Sequence, residues 1–360
     1  MTPEACPSPF SRFRLRSIAL PAIGCVSALT AFALTASALT ASALEVDPDL
    51  PHYEPRPFTI PADAGYVRPD GSIFIAGNNA MNVAFKNLNE LFVQSHPGTK
   101  FTMWLPGTSV GIGGITFNLS AFAPLGRDIW PVENVPFHMV YKRNPVGIRI
   151  GHGSYTDKTK TAPVAICVNP ANPIDKLTND QVASIFTVGN GTGDITRWGQ
   201  LGLTGEWAPE LIHLYGSEKE GGLGLFMQTI HFGGHTFSPG YEEQEHGTLA
   251  VTRVEKDPAG ICLCNLPGVS PNVKIVAIAE HEGGYYSKGS YEDVRAGKYP
   301  YNRFIYIYIN RSPDKPLDPF VKEYLRMVLS REGQAALSDQ PNGFLPLSAD
   351  EANTELRKLD

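Results

Sequence analysis

The chain has 360 residues, 42% of them apolar and 18% charged, with 35 Gly and 30 Pro. That apolar share excludes wholesale disorder, the glycines lack the three-residue period of collagen, and the length exceeds what one core usually serves. Thirty basic and 36 acidic residues leave a net charge of −6 with no basic stripe. This argues against nucleic acid as a partner, and an anionic partner would have to be held by local dipoles against the bulk field.

Arg12, Arg14 and Arg16 precede an uncharged run from Ser17 to Leu44, which ends in Ala36-Ser37-Ala38 and Ala41-Ser42-Ala43. A basic start, an apolar stretch and small-residue sites describe a secretory signal over residues 1–43 and place the mature chain in the periplasm or outside the cell. The apolar run is long enough that an uncleaved membrane anchor is the alternative, and no other segment touches a membrane. Cleavage removes three arginines and one glutamate, taking the charge to −8 and leaving Cys167, Cys262 and Cys264. An odd number in an exported chain leaves at least one thiol free or joined to another molecule. Cys262 and Cys264 alternate along a strand-like run and share a face. A disulfide from Cys167 to one of them is one reading; three buried, small apolar side chains is the preferred one.

Residues 44–69 carry Pro48, Pro51, Pro55, Pro57, Pro61 and Pro69 and read as an extended leader. A strand over 72–76 runs into Gly77-Asn78-Asn79, and Ala84, Leu88, Leu91 and Phe92 then recur at helical spacing. A second strand, 100–105, leads through Pro106-Gly107-Thr108-Ser109-Val110-Gly111 into a segment ending near Leu119. Residues 122–125 lead through Gly126-Arg127-Asp128 into a helix over 131–141. Strands follow at 146–150 and 163–169, then a helix over 179–186 with Thr178 as its cap. A strand at 211–215 opens into the glycine-rich loop 216–224 and a helical stretch over 225–230. Strands at 260–264, 273–278 and 304–309 precede an amphipathic helix over 319–330. Strands alternating with helices predict an α/β architecture with mainly parallel sheets. Its strand–loop–helix junctions place polar loops and helix starts where such sheets bind ligands, a way to hold an anion without net positive charge.

Three stretches carry a family likeness. They are ICVNPANPIDKLTNDQVASIFTVGNGTGDITRW from Ile166, GSEKEGGLGLF from Gly216, and the region from Gly297 to Leu347 with GKYPYNRFIYIYIN, VKEYLRMVLSREGQ and NGFLPL. With the Gly77, Gly107 and Gly126 loops, the chain resembles PstS-type phosphate-binding proteins, the periplasmic component of phosphate ABC transporters, over most of residues 70–350. The resemblance implies a two-lobed, type II periplasmic-binding-protein fold, with mixed sheets flanked by helices and a ligand cleft between the lobes. Lobe 1 is expected at 70–165 and 265–360, and lobe 2 at 166–264.

It also implies a ligand set. Asn78 and Asn79 stand where the family offers hydroxyls, and Thr108 and Ser109 keep hydroxyls in the second loop. Asp128 matches the family's aspartate, with Arg127 beside it able to fork onto an anion. The fourth loop departs most: Ser217 stands at the family's arginine and Gly221-Gly222-Leu223 at its Ser-Gly-Thr, leaving backbone N–H groups and Lys219. His231, His235 and His246 lack a metal-site spacing, and no nucleophile elbow, Walker loop or zincin pair is present. The expectation is therefore a monomeric, cofactor-free, non-catalytic receptor for phosphate or a related small oxyanion, working with ABC permease subunits. The alternative is a ligand-sensing or surface interaction module that keeps the binding-protein shape.

Overall fold

The computed structural model describes residues 46–340 and 343–360; the expected signal segment lies outside them. Among the described residues, no helix is long and apolar enough to cross a membrane. The proline-rich stretch is extended, yet it is strapped onto the first lobe. Leu50 and Tyr66 are buried, the Tyr66 hydroxyl donates to Asp318 at 2.6 Å, and the Tyr53 N–H donates to Glu332 at 2.8 Å.

The first lobe joins a parallel pair, Ile73–Ala76 with Phe101–Trp104, to a four-stranded antiparallel sheet. That sheet runs in the order Phe344–Leu345, Val146–Ser154, Phe304–Ile309, Ala123–Leu125. Phe85, Phe92, Phe122, Phe320 and Tyr324 fill its core beside Ile148, Ile150, Ile305 and Ile307. The helix Pro319–Val328 forms because Asp318 accepts from the Phe320 and Val321 N–H groups, Pro319 is pre-set for a first turn, and one face carries apolar side chains. The antiparallel sheet departs from the mainly parallel expectation. Its long members are the segments that pass between the lobes, and these run in opposite directions instead of following one another through helices.

The second lobe is a mixed five-stranded sheet ordered Lys274–Ile275, Val164–Val168, Gly260–Asn265, His213–Ser217, Tyr241–Gln244. Phe186, Trp198, Phe232, Leu263, Tyr299 and Tyr301 pack on one face. The helix Asn179–Phe186 opens with a capping box in which Thr178 and Gln181 bond each other's backbone. On the sheet's other face, Cys167, Cys262 and Cys264 pack with Ala250, Val251 and Val254 of the helix Gly247–Lys256. All three thiols are unbridged. Their sulfurs lie within 4.8 Å of one another, the one such cluster of possible metal ligands among the described residues.

The expected strand 273–278 breaks at Val276. Lys274–Ile275 pairs with Val164–Val168, whereas Ala277–Ala279 pairs with Lys176–Thr178. Val294, Tyr299 and Tyr301 also pack into the second lobe's core. The chain therefore returns to the first lobe after Tyr301, some way beyond the boundary at 265 that the sequence suggested. Outgoing and returning segments lie side by side: Phe304 faces His152, the Gly153 N–H donates to the Arg303 carbonyl at 2.7 Å, and the Val164 N–H donates to Tyr301 at 3.0 Å.

Candidate functional site

A cleft of about 650 Å³ opens where the crossing segments meet the loops of both lobes. Asn78, Asn79, Thr108 and Arg127 line it from the first lobe, and Ser217, Gly221 and Gly222 from the second; Lys158, Lys160, Thr161 and Arg303 come from the crossing region. Two close approaches fix its first-lobe wall. A Cβ at Gly77 would fall 2.3 Å from the Pro124 carbonyl oxygen, and one at Gly126 would fall 3.1 Å from Thr161 Oγ1 and 3.2 Å from Asn78 Nδ2. Only glycine leaves the first loop where it is, and at Gly126 a side chain would push on Thr161 and Asn78. Arg127, Lys158, Lys160 and Arg303 line the cleft against Glu218 and Glu245, so its local charge is opposite to that of the whole chain.

The first-lobe groups are largely bonded to one another. Asn78 Oδ1 accepts from the Ala80 N–H at 2.9 Å, while its Nδ2 donates to Thr108 Oγ1 at 2.5 Å. Arg127 donates two bonds of 2.8 Å to the Glu133 carboxylate and one of 3.0 Å to the Asp128 carbonyl, and its guanidinium stacks 3.4 Å above Trp130. Burial alone would raise the Glu133 pKa; Arg127, the Trp130 N–H and the Ser109 hydroxyl together hold it below the usual carboxylate range.

Three expected residues lie off the cleft lining. Ser109 turns to Glu133. Asp128 bonds the Tyr306 hydroxyl and lines a separate small recess with Trp130 and Phe226. Lys219 pairs with Glu243 at 3.1 Å on the surface. In the fourth loop, the Gly221 N–H is taken up by the Glu218 carbonyl at 3.0 Å.

Residues 159–332 match the PBP superfamily domain. Over 318 residues the chain is 29% identical to the phosphate-binding protein PstS of Pseudomonas aeruginosa, covering 87% of this chain and 92% of that one. The chain is thus similar to PstS-type phosphate-binding proteins over most of its length and carries a match to the PBP superfamily domain over its middle. Two solved structures share the two-lobed fold. An ABC-type phosphate transport receptor from Vibrio cholerae has a TM-score of 0.51 at 18% identity, covering 76% of this chain and 99% of its own. PstS from Borrelia burgdorferi has a TM-score of 0.52 at 18% identity, with 76% and 98% covered. The relatives are named as binding proteins or receptors, not as enzymes.

Within this PstS-like frame, two groups on the cleft carried no assigned role in the sequence reading. One is the loop Lys158-Thr159-Lys160-Thr161, whose Thr161 hydroxyl donates to the Gly126 carbonyl; its alternating Lys and Thr were the available signal. The other is Arg303, a lone cation beginning an otherwise apolar strand. It is only 6% exposed, donates from Nη2 to the Gly222 carbonyl at 3.2 Å and lies 5.0 Å from the Phe226 ring centroid. Burial pulls its pKa down to about 10, opposed by Asp128 through space. Asn265 Oδ1 also lies buried at the cleft without a hydrogen-bond partner.

Proposed function

We propose that the chain is an exported solute-binding protein that holds phosphate or a related small oxyanion and presents it to an ABC-type importer. The observation that carries this reading is the reversal of charge at the cleft: with Arg127 matched by Glu133, Lys158, Lys160 and Arg303 still outnumber Glu218 and Glu245 on its lining in a protein of net charge −6. A PstS relative aligned over most of both chains supports the ligand class. The two adjacent crossing segments would act as the hinge on which the lobes close. Export to the periplasm or the outside of the cell rests on the leader at 1–43; the receptor is read as a monomer, and permease subunits are the partner it would need.

The binding step is purely one of recognition. The ligand enters a polar cleft, its charge is met by guanidinium and ammonium groups, and loops from both lobes exclude water around it. Isothermal calorimetry of the purified chain with phosphate, using arsenate and sulfate as comparisons, tests this. Saturable 1:1 heat with phosphate is the expected result. Absence of heat and of thermal shift at millimolar phosphate would remove the phosphate reading and favour the ligand-sensing or surface module.

A further inference from the structure

We infer that Arg303, delivered by the returning crossing segment, is the residue that anchors the anion's charge, in place of a fourth-loop arginine. This rests on the oxyanion reading of the cleft and names the group on which binding depends. A guanidinium has five N–H donors, and a buried one is normally matched to a carboxylate, because an uncompensated charge away from water is costly. Among the described residues, Arg303 has one hydrogen-bond acceptor, the neutral carbonyl of Gly222 at 3.2 Å, and no carboxylate within ion-pairing distance. Asp128, the largest favourable charge acting on it, does so only through space and is bonded to Tyr306. The guanidinium carbon lies 5.0 Å from the Phe226 ring centroid, and the backbone is pinned where Gly153 donates to the Arg303 carbonyl.

A rigidly held, nearly buried fork with donors to spare, open on one side to a cleft, is matched by an anion with two coplanar oxygens, such as a tetrahedral oxyanion or a carboxylate. Two of the cations expected at the site are already taken up. Arg127 is already matched by Glu133, and Lys219 is off the lining and paired. Arg303 also sits where the crossing strands pair and bonds a second-lobe loop, so an anion held there touches the hinge and both lobes together.

The test compares wild type with Arg303→Met, Arg303→Lys and Lys219→Gln by calorimetry with phosphate and by thermal melting with and without it. Loss of charge-assisted bonds predicts about 10- to 150-fold weaker binding in R303M. Binding in K219Q should stay within about threefold of wild type. Melting without phosphate should be unchanged or higher in R303M, because a buried, unmatched charge has been removed, while the phosphate-induced shift shrinks. A residue that only supported the fold would show the opposite, a lower melting point with affinity retained. If R303M does not fold, R303K decides: wild-type melting with at least tenfold weaker binding supports the two-point fork, and wild-type affinity overturns it. Wild-type affinity in R303M overturns the role of Arg303 and leaves the oxyanion reading standing. Wild type that binds neither phosphate, arsenate nor sulfate overturns the reading itself, and the anchor with it.

Discussion

Arg127 and Arg303 face the same cleft and are held in opposite ways. Arg127 is closed on itself: Glu133 takes both prongs of its fork and Trp130 covers its face. Arg303 is more deeply buried and has only a neutral carbonyl. Position on a motif therefore does not say whether a side chain is available; its existing partners do. A matched arginine organises its loop, and an unmatched one is a group awaiting a ligand.

That contrast can be broken by mutation. The largest stability effect is expected at Arg127→Met, which strands the Glu133 carboxylate in a nearly buried site. Urea unfolding should lose about 3–5 kcal/mol, while phosphate affinity changes less than in R303M. Loss of binding without loss of stability would make Arg127 a ligand group and cancel the distinction. R303M should do the reverse, with affinity falling and the ligand-free fold unharmed.

A comparable stability effect belongs to pH. Burial pushes the His231 pKa down to about 4, and its ring sits against Phe226 and Tyr301. Below the ordinary histidine pKa the unfolded chain takes up a proton that the folded chain refuses. Stability therefore falls as pH drops from about 6.5 to about 4, by roughly 3 kcal/mol from this residue, and is fully present above that window. His231→Phe should keep the ring packing and lose this part of the acid sensitivity in melts across that range. An unchanged pH profile would place the acid-sensitive group elsewhere. The smallest effect is expected at K219Q, whose exposed pair with Glu243 contributes little to either measurement.

Much of the fold was legible because its signals are local. Thr178 and Gln181 announce a helix start, and the apolar face of residues 319–328 announces a packed one. The site's loops were legible for the same reason: Asn78, Thr108 and Gly126 sit at strand ends marked by glycine. What escaped was non-local. Where 273–278 divides between two sheets depends on strands a hundred residues earlier. The capture of Ser109 and Arg127 by Glu133 depends on how the loop folds onto the next helix. Arg303 looked like one cation in an apolar strand, and only burial without a carboxylate partner distinguishes it.

The most direct measurement is a crystal structure of the protein soaked in phosphate. The anion is expected in the cleft, with two oxygens within hydrogen-bond distance of the Arg303 guanidinium and the Arg127–Glu133 pair intact. An anion bound in the cleft but away from Arg303, with Arg127 released from Glu133 to hold it, would contradict the account.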